Sequence, residues 1–200
     1  VIGGIYGGAF TVNEAASVGV VGTVLIALLR GKLSGGALWE VVSETVATTA
    51  MIYLLIVGAT TFTFFIGLTG LPQALVQIIG GMQISHILVI GILLLIYIFL
   101  GMVMDSIAVM IVTTPILAPL IGNMGYDLVW WGVVMLCVVE TGMITPPFGL
   151  NVFILKGLAP DVPIQRVFRG VLPFVYADVV KLALLVFFPA LCLWLPSTMR

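Results

Sequence analysis

Two stretches of the sequence interrupt apolar segments with residues that could bind a cation. One is Gly101 to Ser106 (GMVMDS) and the other is Thr141 to Pro147 (TGMITPP). Proline has no amide hydrogen, and its ring clashes with the carbonyl four residues earlier. The two prolines that end the second stretch are therefore expected to leave the carbonyls of Gly142 and Met143 without helical partners.

Side-chain oxygens are available beside both interruptions, on Asp105, Thr145 and Asn151. Oxygen ligands suit a hard cation such as sodium. Secondary transporters use discontinuous helices in this way, because unwound carbonyls hold the ion and helix N-termini face anionic groups. A structural alternative is that the prolines only kink a helix. Two interruptions in one chain favour the ion site.

Catalytic chemistry is not expected. The sequence has one histidine, His86, and two isolated cysteines, Cys137 and Cys192. A hydrolase or a metalloenzyme needs a nucleophile with its base, or a set of clustered ligands, and none of the corresponding motifs occurs. We interpret His86 as a helix-start or interfacial residue and both cysteines as packing residues. The sequence therefore predicts no enzyme and no cofactor.

Three charged residues lie within apolar segments. Asp178 and Lys181 are three residues apart, which places them on one helical face where they can form an ion pair. Glu140 immediately precedes the second interruption. It is either a capped or interfacial carboxylate or a functional group at membrane depth, and the sequence leaves both interpretations open.

The composition places these residues in a membrane. Hydrophobic residues make up 62% of the chain and charged residues 8%, and the mean hydropathy is +1.33. Soluble domains are about half apolar and about a quarter charged, so a lipid bilayer is the expected surroundings. A formal net charge of -1 provides no basic surface for nucleic acid. The predicted fold class is an all-α polytopic membrane protein.

The lengths of the apolar stretches predict the membrane elements. Thr11 and Glu14 form a capping box that starts the first span. Residues 33–44 are interpreted as an interfacial arm, and residues 73–82 as a short helix at the outer interface. The predicted elements are spans over about 12–29, 46–68 and 171–193, a re-entrant hairpin over 85–119 and a broken helix over 128–156.

The segment 85–119 is predicted to be re-entrant because its limbs are short. As helices, 86–101 and 107–118 would be about 24 Å and about 18 Å long, against an apolar core of about 30 Å. If segment 85–119 enters and leaves the membrane on one side, the basic residues fall on the cytoplasmic side, as the positive-inside rule requires. Two short full crossings would satisfy the rule equally well. The basic residues concerned are Arg30, Lys32, Lys156, Arg166 and Arg169.

Four parts of the sequence closely resemble the large membrane subunit of TRAP (tripartite ATP-independent periplasmic) transporters. The run Thr-Pro-Pro-x-Gly-Leu-Asn is the most specific, and the resemblance covers essentially all 200 residues. The chain opens without a methionine and is expected to be a fragment, and the resemblance implies that it is the C-terminal half of that subunit. The parts concerned are Gly3 to Thr11 with Glu14 to Ala16, Gly101 to Ser106, Gly142 to Asn151 and Phe188 to Pro196.

The resemblance implies the second inverted repeat of an ion-transporter-type elevator fold in the bacterial inner membrane. It implies a sodium-coupled permease that works with a small membrane subunit and a periplasmic substrate-binding protein. The imported substrate would be an organic acid, such as a C4-dicarboxylate, a sialic acid or a similar carboxylate. The sodium ligands implied by the resemblance are Gly101, Val103, Asp105, Gly142, Ile144, Thr145 and Pro147, and the expected substrate-binding residues are Thr141 and Asn151.

Two other functions stay open at the level of the sequence. An ion-coupled anion permease of the same broad architecture would work without a binding protein. A structural membrane scaffold would show no cation dependence. The broken helix argues against the scaffold, because each unsatisfied backbone group at membrane depth is energetically costly unless something binds there.

Overall fold

The computed structural model describes residues 1–82, 84–158 and 161–198. These residues form ten α-helices and no strand, which confirms the all-α prediction. The helices are α1 (Ile2–Tyr6), α2 (Val12–Leu29), α3 (Gly35–Thr69), α4 (Leu71–Gly81), α5 (His86–Val103), α6 (Ser106–Asn123), α7 (Leu128–Ile144), α8 (Leu150–Leu158), α9 (Ile164–Phe187) and α10 (Ala190–Thr198).

Among the described residues, five helices are long and apolar enough to cross a membrane: α2, α3, α5, α6 and α9. The chain is therefore a multi-pass membrane protein. It divides into two compact units, one of Val1–Leu55 with the C-terminal end from Pro196, and one of Ile56–Leu195. The predicted ion site falls in the second unit.

The first unit contains the capping box that the sequence predicted. The Thr11 amide donates to Glu14 Oε2 at 2.8 Å, and the Glu14 amide donates to Thr11 Oγ1 at 3.4 Å. These two bonds satisfy amides that the first turn of a helix leaves without partners. Helix α2 consequently begins at Val12, as expected.

Helix α3 is continuous over 35 residues, so no break separates the predicted arm from the predicted span, and the interfacial placement of the arm stays a prediction. The reason is local: from Ala37 to Val57 the sequence has neither proline nor glycine, and nothing else interrupts the helix. The predicted break at Gly70 is confirmed. Gly70 has φ +67°, a left-handed conformation that glycine adopts without a Cβ penalty, and Pro72 lies in the first turn of α4.

The hairpin limbs are longer than predicted. Helices α5 and α6 have 18 residues each, or about 27 Å, and the tip between them is only Met104 and Asp105. Ile84, His86 and Asn123 line one cavity, so the two open ends of the hairpin lie together. Helices of this length could form either a re-entrant hairpin or two full crossings of the membrane, so the re-entrant topology stays a prediction.

Helices α5 and α7 form the core of the second unit and run parallel. His86 contacts Tyr126 with ring centroids 6.3 Å apart, and Tyr97 contacts Trp131 at 5.9 Å, so residue numbers rise together along the two helices. The fully buried side chains of this core include Ile90, Tyr97, Val109, Ile121, Trp130, Val134, Val138 and Val139.

Helix α9 begins at Ile164 and ends at Phe187, earlier at both ends than the predicted span. Arg166 and Arg169 are consequently part of the helix. Asp178 and Lys181 form the predicted ion pair, with Lys181 Nζ 2.6 Å from Asp178 Oδ1. A short helix, α10, follows from Ala190.

Trp130 joins α7 to α9 through one hydrogen bond. Its indole Nε1 donates to the Leu185 carbonyl at 2.7 Å. Pro189 stands four residues after Leu185 and has no amide hydrogen, so this carbonyl lacks the donor that a continuing helix would provide. A side chain of the neighbouring helix therefore completes the end of α9.

Replacing Trp130 with phenylalanine should destabilise the protein by about 1 to 3 kcal/mol, because the half-buried Leu185 carbonyl loses its donor. Trp131→Phe is the matched control. Trp131 is also buried, but its Nε1 has no hydrogen-bond partner among the described residues. Thermal unfolding of the full transporter in detergent measures both. Equal losses in the two variants would contradict the role assigned to the bond.

The re-entrant topology predicts that cysteines at Ile84 and Gly122 both react with an impermeant thiol reagent added from outside the cell. The background lacks Cys137 and Cys192, and Lys32→Cys, at the predicted cytoplasmic end of α2, should react only from inside. Two full crossings would give the same labelling at these positions. Asp105→Cys at the tip is therefore added, because two full crossings would expose it to the cytoplasm in every conformation of the transporter. Labelling of Ile84→Cys or Gly122→Cys only from inside would make the topology wrong.

Candidate functional site

The break in the long helix lies between α7 and α8, from Thr145 to Gly149. The sequence placed it four residues earlier, from Thr141, and that placement is wrong because residues up to Ile144 are helical. Thr145 has an extended backbone, with ψ 134°, as expected for a residue that precedes proline. The peptide bond between Pro146 and Pro147 is cis.

The two carbonyls expected to be released behave differently. The Gly142 carbonyl accepts a bond from the Thr145 amide at 3.0 Å, so the expectation is wrong for this residue. A bond to the third residue along tightens the last turn of the helix. Met143 has Pro146 and Pro147 at the third and fourth positions after it, and neither proline has an amide hydrogen. Its carbonyl has no helical donor, as expected.

Two threonine hydroxyls lie along the last turns of α7. Thr145 Oγ1 donates to the Thr141 carbonyl at 2.6 Å, and Thr141 Oγ1 donates to the Cys137 carbonyl at 2.8 Å. A hydroxyl that donates its proton to the helix keeps its oxygen lone pairs for another partner. Thr145 is half-buried and can offer that oxygen, whereas Thr141 is fully buried.

Gly149 turns the chain back tightly after the prolines. It has φ +41°, and a Cβ added there would lie 3.2 Å from the Thr145 carbonyl oxygen. Glycine is required by the backbone angle as well as by this close approach. Helix α8 therefore starts directly beside the end of α7.

The hairpin reaches the break through a contact between two glycines. A Cβ on Gly142 would lie 2.5 Å from the Ile98 carbonyl oxygen and 3.0 Å from Gly101 Cα. The Cβ of an alanine at Gly101 would be closer still to the Val139 carbonyl oxygen. Small residues allow helix backbones to approach in this way. The contact holds α5 against α7 just before both helices end.

Four helix ends lie beyond this crossing: the C-termini of α5 and α7 and the N-termini of α6 and α8. Because α5 and α7 run parallel, their C-termini at Val103 and Ile144 both emerge beyond the glycine contact. Helix α6 begins after two intervening residues, at Ser106, and α8 begins after the break, at Leu150. C-terminal ends carry partial negative charge and N-terminal ends partial positive charge. The arrangement can hold a cation near the first pair of ends and an anion near the second pair.

Asp105 has a structural role at the hairpin tip. Its Oδ2 accepts from the amides of Ile107 at 2.9 Å and Ala108 at 3.4 Å, which caps α6. One carboxylate oxygen is therefore committed to the helix, and Oδ1 is the atom that can face an ion. Val103 beside it is exposed.

The structure brings Gly101 and Gly142 into contact and places Thr145 at the end of the same helix as Gly142. Ile144 is half-buried, Pro147 is exposed, and Asn151 is half-buried in the first turn of α8. Sequence reasoning missed the carbonyls of Ile98 and Val139, against which the glycines pack. The available signal was a glycine near the C-terminal end of each of two apolar segments. Glu140 is exposed on α7.

The family model described as "Tripartite ATP-independent periplasmic transporter, DctM component" matches residues 1–191. The sialic acid TRAP transporter large permease protein SiaM of Vibrio cholerae is 32% identical over 98% of this chain and 46% of its own length. The C4-dicarboxylate TRAP transporter large permease protein DctM of Pseudomonas aeruginosa is 31% identical, with the same two coverages.

The isethionate TRAP transporter permease protein DctMQ of Oleidesulfovibrio alaskensis is 32% identical over 96% of this chain and 30% of its own length. The chain thus spans less than half the length of each of these relatives. All three relatives are permeases by name.

Gly101→Ala and Gly142→Ala should each destabilise the protein by about 1 to 3 kcal/mol, because the added methyl group forces two backbones apart. Gly91→Ala on α5 and Gly132→Ala on α7 are matched controls, since a Cβ at either position meets nothing within 4 Å. Thermal unfolding of the full transporter is the measurement. If the control variants lose as much stability as the crossing variants, the contact does not hold the helices together.

Proposed function

Because the chain belongs to the family of the DctM component of tripartite ATP-independent periplasmic transporters, we propose that it contributes an ion and substrate site to a sodium-coupled permease. The permease imports an organic acid across the bacterial inner membrane. It works with a periplasmic substrate-binding protein and a small membrane subunit. The relatives' names, all of permeases, support transport as the function.

The glycine crossing of α5 and α7 carries this proposal. It places the hairpin tip and the broken helix at the same end of one helix pair, so four helix ends and their unpaired backbone groups can converge. Irregular backbone at membrane depth is tolerated where it lines a protein-enclosed cavity, and broken helices of transporters bind ions there.

Sodium lies, in this proposal, between the end of α5 and the end of α7. The Met143 carbonyl has no helical donor, and Thr145 Oγ1 keeps its lone pairs after donating to Thr141. The last-turn carbonyls of α5, which include those of Gly101 and Val103, lack intrahelical partners because the helix ends there. Oδ1 of Asp105 would supply a charged oxygen. These are hard oxygen ligands, as sodium requires.

The organic acid lies, in this proposal, near the N-terminal ends of α6 and α8. Their unpaired amides favour an anionic group, and Asn151 in the first turn of α8 adds a side-chain amide. Sialic acid, C4-dicarboxylate and isethionate are the substrates in the relatives' names. Thr141 is buried and would act on the site through its bond with Thr145.

Thr145→Val should raise the sodium concentration for half-maximal uptake by about fivefold or more, because one oxygen ligand worth about 1 to 3 kcal/mol is removed. Replacing Pro146 and Pro147 together with alanine should weaken sodium coupling further, since the Met143 carbonyl can then accept a helical bond. Uptake by the reconstituted full transporter, measured over a range of sodium concentrations, tests both.

Thr114→Val is the matched control for the threonine variant. Its hydroxyl donates to the Met110 carbonyl at 2.6 Å, the same local geometry as in Thr145, but it lies on α6 away from the break. Thr145→Ser keeps the oxygen and should retain the sodium dependence. Unchanged sodium dependence in the double proline variant, with normal expression, would mean that the break is structural and that the ion binds elsewhere.

A further inference from the structure

We propose that Arg166 and Arg169, at the start of α9, bind the phosphate of an anionic phospholipid headgroup in the cytoplasmic leaflet. This inference depends on the placement of the chain in a membrane and on the charge rule. It does not depend on the ion site or on the identity of the transported acid.

An open cleft lies at this end of the helix. It has a volume of about 240 Å³ and is lined by Pro163, Gln165, Arg166 and Arg169. Both arginine side chains are exposed. The two guanidinium groups and the Gln165 amide are hydrogen-bond donors, so the lining suits an acceptor-rich ligand such as phosphate.

Neither arginine has an acidic partner within the described part of the chain. The ion pair found there joins Asp178 to Lys181, more than two helical turns further along α9. Asp161 is the carboxylate nearest in sequence, and it is exposed and makes no ion pair with either arginine. The cleft therefore carries two positive charges without an internal counter-ion, and it favours an external anion.

The position of the cleft along α9 identifies the source of that anion. Helix α9 is a candidate span of 24 residues, and the arginines lie in its first two turns. The basic residues at span ends mark the cytoplasmic side, where the leaflet carries anionic lipid headgroups. A cleft at this level opens into the headgroup layer.

One face of α9 packs against α8 and another is exposed, and the exposed face suits a lipid. Phe168 packs toward α8, where it meets Phe153 edge to face with ring centroids 6.5 Å apart. Arg166 and Arg169 are three residues apart and share a face. Further along that face the exposed residues are apolar, beginning with Pro173 and Ala177. A bound lipid can thus place its phosphate on the arginines and an acyl chain along the helix.

Arginine is suited to this ligand because its planar guanidinium binds two phosphate oxygens at once, while lysine offers only a point charge. Phosphatidylglycerol has a net negative charge, whereas the ammonium group of phosphatidylethanolamine cancels that of its phosphate. A site with two uncompensated positive charges should prefer phosphatidylglycerol.

The experiment is native mass spectrometry of the full transporter, purified with its small subunit and titrated with phosphatidylglycerol or phosphatidylethanolamine of matched acyl chains. Each arginine that contacts the lipid phosphate should contribute about fivefold to phosphatidylglycerol affinity, so Arg166→Gln with Arg169→Gln should weaken binding by about thirtyfold. Arg166→Lys with Arg169→Lys keeps the charge and should lose less. Phosphatidylethanolamine binding should not change.

Arg30→Gln with Lys32→Gln is the matched control, because it removes the same charge at the predicted cytoplasmic end of α2 and touches no part of the cleft. Its phosphatidylglycerol affinity should equal that of the wild type. Equal losses in both double variants, or no loss in the α9 variant, would overturn the proposal. Displacement of the lipid by excess inorganic phosphate would instead indicate a site for free phosphate.

A protein partner is the remaining outcome of the test. Loss of the small subunit from the α9 variant, with lipid binding unchanged, would show that the arginines pair with acidic residues of another chain and would also overturn the proposal. Thermal unfolding of each variant verifies that it is folded. If the glutamine variant does not fold, the lysine variant and the control still decide the question.

Discussion

The close approach of two backbones at Gly101 and Gly142 is the constraint on which the rest of the site depends. Lipid provides little hydrophobic drive for helices to associate, so van der Waals contact and hydrogen bonds hold them together. At this crossing the contact atoms are carbonyl oxygens and Cα atoms, and no side chain separates the helices. The ends of α5 and α7 are therefore set at one level, and the hairpin tip and the helix break fall together.

The remaining contacts of the second unit extend this rigid pair. Tyr97 and Trp131 pack edge to face above the crossing, and the Tyr97 hydroxyl forms a hydrogen bond of 2.5 Å with Thr113 of α6. Trp130 carries the connection to α9 through the Leu185 carbonyl. Helices α5, α6, α7 and α9 are thus joined through Tyr97 of α5 and the two tryptophans of α7.

Features that depend on neighbouring residues could be predicted from the sequence, and those that depend on distant residues could not. The capping box, the break at Gly70 and the pair Asp178 and Lys181 are local and were predicted. The break after α7 was placed too early, although the effect of Pro146 on the preceding residue, Thr145, indicates the observed end. Helix α6 continues to Asn123 because Leu120 and Ile121 are buried in the core, which one sequence does not reveal. The sodium and substrate ligands stay predictions.

The glycine crossing also limits how the sequence can diverge. When a buried position packs against a side chain, a larger residue can be accommodated by a smaller one opposite. Gly101 and Gly142 face the backbone atoms of Val139 and Ile98, which every amino acid shares, so no second substitution on the other helix restores the fit. Exposed apolar positions on the same helices, such as Phe99 and Leu136, face no such limit. Neither glycine can be replaced by a larger residue, whether alone or together with a second substitution.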